Sequence, residues 1–258
     1  MLAGNPSASW VVRPRPNPRA ALRLFCFPYA GAGSIIFRSW PEQLPVSVET
    51  CLVELPGRGS RLREPLFTRL LPMIDAALPA LLPYLDRPFA FFGHSMGALL
   101  SFELTRRLRR QADRLPSHLF VSGRAAPHLP DAMPALHKLP EAEFIAELRR
   151  LNGTPGEVLE HAELMQLLMP ILRADFAVCE TYVCEPGPPL ACPITVFGGA
   201  EDPHVTRATL EPWREHTSAG FALHILPGDH FFLQSAAPML LQIMREELLR
   251  LTGQAPGR

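Results

Sequence analysis

Ser95, Asp202 and His230 carry the side chains a nucleophilic hydrolase needs, in the order serine, carboxylate, imidazole. A serine hydroxyl is a poor nucleophile until a base removes its proton, and the base needs a third group to hold its ring. Ser95 stands at the centre of Gly93-His94-Ser95-Met96-Gly97. Glycines at both ends remove Cβ atoms that would collide in a very tight turn. The serine is left exposed, in strained geometry, beside the positive N-terminus of the helix that follows. Asp202 comes just after Phe197-Gly198-Gly199, and His230 lies 28 residues further on, in Pro227-Gly228-Asp229-His230-Phe231-Phe232. The chemistry implied is acyl transfer: Ser95 attacks a carbonyl, His230 shuttles the proton, and Asp202 fixes the imidazole tautomer. The pentapeptide alone is weak, because an ordinary strand-to-helix turn also contains Gly and Ser. Context has to decide.

Each member has rivals. His94 adjoins the serine but sits on the turn itself, pointing away from the hydroxyl. His204 and His224 compete with His230, yet His224 falls inside an expected strand rather than past its end. Glu201, Asp229 and Asp175 compete with Asp202. Asp229 is adjacent to His230 and poorly placed to reach around its ring, and Asp175 falls in a helical stretch where an anchoring role fits better.

The elements that position these residues follow from local pattern. Phe89-Ala90-Phe91-Phe92 reads as a buried strand, and Ala98 to Arg110 has helix-forming composition, so Ser95 lies at a strand–turn–helix apex. That is the nucleophile elbow of α/β-hydrolases, in which the acid and the histidine follow the serine in chain order. Further strands are expected at 22–27, 50–55, 118–123, 193–199 and 221–226. Strands alternating with helices imply right-handed crossovers and a mostly parallel sheet. The small-residue loop Tyr29-Ala30-Gly31-Ala32-Gly33 follows the first strand. It lacks the third glycine of a dinucleotide fingerprint, and an oxyanion-hole role suits it better. The backbone amides of Ala30 and Met96 are the expected donors. Helices are expected near 35–40, 70–85 (kinked by Pro72, Pro79 and Pro83), and 231–251. Between 125 and 182 no strand is expected, and helical segments fall near 141–151, 156–168 and 170–182. An insertion there suggests a lid over an acyl pocket. Leu164, Met165 and Leu168 are candidates to line it, with Tyr29 and Phe231. Docking of the insertion onto the core is the ordinary use of such an apolar stripe.

Bulk properties bound the rest. The 258 residues are 47% hydrophobic with zero formal net charge, enough for one large α/β domain, and give no electrostatic case for a nucleic-acid or anionic-membrane partner. Five cysteines without Cys-x-x-Cys spacing suggest neither a disulfide framework nor a metal site, and reduced thiols in a cytoplasmic protein are the simplest expectation. No secretory or membrane-spanning segment is expected. Residues 1–20 read as a flexible, proline-punctuated leader; 21–124 and 183–254 as the core; and 125–182 as the lid insertion.

Six blocks together carry a resemblance: Phe27-Pro28-Tyr29-Ala30-Gly31, Glu54-Leu55-Pro56-Gly57-Arg58-Gly59, Phe92-Gly93-His94-Ser95-Met96-Gly97-Ala98, Leu172-Arg173-Ala174-Asp175-Phe176, Gly198-Gly199-Ala200-Glu201-Asp202 and Pro227-Gly228-Asp229-His230-Phe231-Phe232-Leu233. Over roughly residues 22–250 the chain resembles the type II thioesterases of polyketide and nonribosomal peptide assembly lines. Ala32 departs from the family pattern, where many members have a second consecutive glycine. The resemblance implies an α/β-hydrolase fold with a helical lid and Ser95, Asp202 and His230 as the triad. It also implies hydrolysis of stalled or aberrant acyl groups from the phosphopantetheine arm of acyl or peptidyl carrier domains. The carrier would be a transient partner of a monomeric enzyme that needs no cofactor of its own. A medium-chain acyl-carrier hydrolase, a general esterase with the same triad, and an inactive hydrolase-fold binding module are the alternatives.

Overall fold

The computed structural model describes residues 9–112, 114–130, 135–153 and 156–254. A seven-stranded sheet runs through it in the order β1-β3-β2-β4-β5-β6-β7. These strands are β1 (Val11–Val12), β2 (Leu22–Phe27), β3 (Val48–Val53), β4 (Phe89–His94), β5 (His118–Ser122), β6 (Ile194–Gly199) and β7 (Phe221–Leu226). Strands β2 to β7 pair in parallel, and among the described residues only β1 is antiparallel, on β3. The architecture is the α/β-hydrolase type expected.

Strands buried on both faces are apolar throughout rather than alternating, and side-chain alternation then sends neighbours to opposite cores. Phe25, Phe27, Phe89 and Phe91 join the core built with α2 (Leu70–Leu81) and α3 (Met96–Ala112). Leu22, Leu24, Cys26 and Phe92 join the opposite core, with α1 (Trp40–Gln43) and α9 (Ala237–Leu251). Edge-on aromatic pairs tighten both faces, with ring centroids 5.3 Å apart for Phe27–Phe91 and 4.8 Å for Trp40–Phe92. Each buried phenylalanine contributes about 2 kcal/mol by area alone. No helix among the described residues is long and apolar enough to cross a membrane.

Between β5 and β6 the described chain is helical: α4 (Glu141–Leu151), α5 (Gly156–Glu160) and α6 (Ala162–Glu180). The insertion has a small core of its own, containing Leu136, Phe144, Leu148, Leu159, Met165 and Leu172. Two short helices, α7 (Arg207–Leu210) and α8 (Phe232–Ser235), complete the set among the described residues.

Several boundaries differ from expectation, each for a local reason. The stretch 9–20 is not a free leader. Trp10 and Val11 are buried, Val11 and Val12 pair with Val53 and Leu52, and Pro14, Pro16 and Pro18 stay clear of the ladder because they follow the two-residue strand. Residues 1–8 of that expected leader lie outside the described residues. Strand β3 lies two residues earlier than 50–55. The helix expected at 35–40 is a 3-10 turn at Ser34–Phe37 followed by α1, which restarts with Pro41 in its first turn. The segment 70–85 is α2, with Pro79 inside it, followed by a 3-10 turn at Leu82–Tyr84. The break expected at Pro170 falls instead at His161, whose ring accepts from the Leu164 amide (3.4 Å). A proline inside a helix costs about 3 kcal/mol, and burial of Ile171, Leu172, Ala174, Ala177 and Val178 beyond it offsets that. The last helix is likewise interrupted at Ala236, between α8 and α9.

One histidine makes stability pH-dependent without chemistry. His118 is buried in β5, stacked on Phe120 at 4.3 Å, with Nε2 2.8 Å from Thr195 Oγ1. Burial pushes its imidazole down to about 4, so below about pH 6.5 the unfolded chain takes up a proton that the folded chain refuses. Its contribution is complete above that pH and declines as pH falls towards 4, by about 3 kcal/mol at most. The Glu247 carboxylate, 3.6 Å from Nδ1, opposes the decline. Urea midpoints at pH 7.5 and 4.5 are expected to differ less for His118→Gln than for wild type.

Candidate active site

The site lies where β4, β6 and β7 end. One residue, Ser95, separates β4 from α3, and its φ is +54°. A non-glycine residue held there costs on the order of 1–3 kcal/mol, and such strain tends to be retained where function uses it. The flanking glycines are sterically required. A Cβ on Gly93 would lie 2.0 Å from the Gly97 carbonyl oxygen, and one on Gly97 would lie 2.1 Å from that of Phe27. The first turn of α3 is therefore pressed against the backbone that leads into the small-residue loop. The Ser95 amide donates to Ser122 O (2.8 Å), which pins the turn to the end of β5.

That loop is a tight turn in which the Ala32 amide donates to Tyr29 O (3.1 Å) and Gly31 takes φ +80°. The conformation suits glycine at the third position of a type II turn. The Gly31 amide is occupied by the Asp175 carboxylate (2.7 Å). The Ala30 amide has no acceptor among the described residues. Met96 opens α3, so its amide is one of the N–H groups that a helix cannot satisfy internally. The two expected oxyanion donors thus stand at the mutually packed starts of the loop and the helix.

Asp202 and His230 are brought together. His230 Nδ1 is 2.6 Å from Asp202 Oδ2, leaving Nε2 as the ring's free nitrogen. Asp202 Oδ1 accepts the amides of His204 (2.9 Å) and Val205 (3.0 Å). Burial would raise this carboxyl's pKa, but the His230 hydrogen bond and charge, with the two amides, hold it below the usual carboxylate range. The loops are joined through backbone: Ala200 N donates to Leu226 O (2.8 Å) and Glu201 N to Gly228 O (2.9 Å). A Cβ on Gly199 would be 2.3 Å from Asp229 O. The Ser95 hydroxyl has no hydrogen-bond partner among the described residues; serine–base contacts in free hydrolases often tighten only when substrate arrives.

The rivals fall elsewhere. His94 is fully buried against His230 (ring centroids 5.3 Å), with Nδ1 2.9 Å from Ser122 Oγ. Burial, then the neighbouring His230, holds its pKa well below that of a free imidazole. His204 is exposed, and His224 is stacked on Phe197 within β7. Asp229 accepts the Phe231 amide (2.8 Å) and the Asn152 side-chain amide (3.2 Å), tying the histidine loop to the end of α4.

The expected pocket residues divide. Tyr29 and Phe231 touch at 5.1 Å and pack on His94 at 5.7 and 6.3 Å. A Cβ on Gly153 would lie 2.4 Å from Phe231, so the insertion reaches over this ring. Met165 and Leu168 instead belong to the insertion's own core. Leu164 is 41% exposed. Sequence reasoning missed Arg58, Ser122 and Asn152 as supports. Arg58 lies inside one of the six blocks, which was the available signal.

A family model described as a thioesterase domain matches residues 22–248. The linear gramicidin dehydrogenase LgrE of Brevibacillus parabrevis is 52% identical over 242 residues, covering 93% of this chain and 92% of that protein. The RedJ thioesterase from the prodiginine biosynthetic pathway in Streptomyces coelicolor superposes with a TM-score of 0.83 at 42% identity, over 88% of this chain and 86% of that one. The type II thioesterase BorB from the borrelidin biosynthetic cluster gives 0.85 at 36% identity, over 93% and 97%.

Proposed function

The chain belongs to the thioesterase family and is a thioester hydrolase of the type II class; from that premise we propose that it removes stalled or aberrant acyl groups from the phosphopantetheine arm of carrier domains in polyketide or nonribosomal peptide synthesis. Ser95 Oγ attacks the thioester carbonyl while His230 Nε2 takes the hydroxyl proton. Asp202 keeps the other ring nitrogen protonated and stabilises the imidazolium that forms. The amides of Ala30 and Met96 hold the tetrahedral oxyanion. Collapse breaks the carbon–sulfur bond, and His230 gives its proton to the departing thiolate, which leaves as the free thiol. Water, activated by His230, then hydrolyses the acyl-serine to a free acid. The insertion acts as a lid, with Tyr29 and Phe231 bordering the acyl group.

The observation that carries this reading is the 2.6 Å Asp202–His230 pair, whose imidazole packs on His94 (ring centroids 5.3 Å), the residue before a serine held at φ +54°. A dehydrogenase reading, suggested by one relative's name, is disfavoured by the loop after β2. Its third fingerprint glycine is missing, and the Gly31 amide faces a carboxylate where a phosphate would need to sit.

Mass spectrometry of carrier proteins loaded with acetyl, propionyl, hexanoyl and decanoyl groups tests the proposal. Wild type is expected to remove the acyl mass and restore the free thiol, with the ranking by chain length sizing the pocket. Turnover of simple oxygen esters with no loss from any carrier would replace this reading with a general esterase.

A further inference from the structure

Asp175 belongs to the insertion, yet both of its carboxylate oxygens are spent outside it. The residue is 1% exposed. Oδ2 accepts from the Gly31 amide (2.7 Å) and from Arg58 Nη1 (2.7 Å), and Oδ1 accepts from Arg58 Nη2 (2.8 Å). Arg58, itself buried, has the rest of its fork on backbone: Nη1 donates to Ala32 O (3.0 Å), and Nε and Nη2 to Pro56 O (3.3 Å each). All five N–H groups of the guanidinium are engaged. The small-residue loop is thereby gripped at the Gly31 amide and at the Ala32 carbonyl, immediately after Ala30.

Packing repeats the same connection. Leu172 and Asp175 are three residues apart on α6 and share a face. A Cβ on Gly31 would lie 2.4 Å from Leu172 Cδ2, and one on Gly57 would lie 3.6 Å from Ile171. One face of α6 thus covers both the turn bearing Ala30 and the turn bearing Arg58. With its neighbour's N–H fixed on a carboxylate, the peptide plane after Ala30 cannot rotate, which limits where the Ala30 amide can point.

We propose that Asp175 and Arg58 are positioning residues for the oxyanion hole, so that seating of α6 on the core and alignment of the Ala30 amide are a single event. The inference rests on the thioesterase reading of the site. A buried ion pair is weak evidence for stability, since an apolar pair of similar volume often serves as well. That difference separates positioning from anchoring.

The test compares wild type, Asp175→Asn and the double variant Arg58→Met/Asp175→Leu on an acylated carrier, with thermal midpoints measured in parallel. Asp175→Asn replaces one accepting oxygen with an amide nitrogen that cannot accept from Gly31 or Arg58. A misplaced catalytic group costs on the order of 10- to 100-fold in rate. That loss is expected in kcat, with KM within about threefold, for Asp175→Asn. It is also expected for the double variant, although the apolar pair returns the midpoint to near the wild-type value. Should Asp175→Asn fail to fold, the double variant decides alone. Wild-type kcat in a stable double variant, or a change confined to KM, overturns the proposal. Hydrolysis that survives Ser95→Ala would instead overturn the thioesterase assignment of the site, by a separate signal.

Discussion

Ser95→Ala is expected to lower kcat on an acylated carrier by roughly 10⁴- to 10⁶-fold while leaving the fold in place. The loss is large because the proposed mechanism forms the acyl-enzyme on this hydroxyl; without it, the His230–Asp202 pair would have nothing to deprotonate except water. On the proposed mechanism, what survives comes from acyl binding and from the amides assigned to the oxyanion, those of Ala30 and Met96. The fold is spared for a reason visible in the turn. Alanine and serine both carry a Cβ, so the strain at φ +54° is unchanged, and the Ser95 hydroxyl has no hydrogen bond to lose among the described residues. A change in stability within about 0.5 kcal/mol is expected. Single-turnover mass spectrometry beside a thermal melt measures both quantities. Activity within tenfold of wild type would remove Ser95 from the chemistry.

Asp202→Asn ranks next, at roughly 10⁴-fold in kcat. An asparagine can offer its amide nitrogen to His230 Nδ1, which moves the ring proton to Nε2. The base then faces the serine with a proton already in place. The variant should leave KM nearly unchanged, because no acyl contact is lost. It also has a stability signature. The folded Asp202 carboxyl titrates below the usual carboxylate range, so its contribution is complete above the unfolded value and is lost as pH falls through the lower folded one. Thermal midpoints of wild type and variant, followed from pH 6 to pH 3, should therefore converge towards the acid end. Parallel curves would mean that the Asp202 charge gains nothing in the folded state from His230 or from the amides of His204 and Val205.

Chain order made much of this site readable. A serine between glycines at the end of an apolar run, an acid past one strand and a histidine past another form a local pattern repeated three times, and each strand end fell where composition changed. Strand β2 and helix α4 are bounded by Pro28 and Pro140, and their limits were legible for that reason. Proline misled in α6, where tertiary burial outweighs one missing hydrogen bond, and in residues 9–20, where two valines find an edge to pair with. The Arg58–Asp175 contact had no periodic trace, because its partners are 117 residues apart and meet only once α6 is seated. The apolar stripe on α6 was ambiguous for another reason. Helical spacing places Leu164, Met165 and Leu168 near one another but does not say which of them faces solvent.

The position of β7 in the sheet has a consequence for how the protein fails. Among the described residues this strand pairs with β6 alone, and most of its side chains are only half covered. His230 follows four residues after its end, whereas Ser95 directly follows β4, which pairs with a strand on either side, β2 and β5. Local opening requires less free energy than global unfolding where pairing is one-sided and burial is partial. Under heat or mild denaturant the His230 loop is therefore expected to detach while the interior strands β2, β4 and β5 still hold Ser95 in its turn. Inactivation would precede melting, and a preparation judged intact by its bulk spectroscopic signal could already be silent.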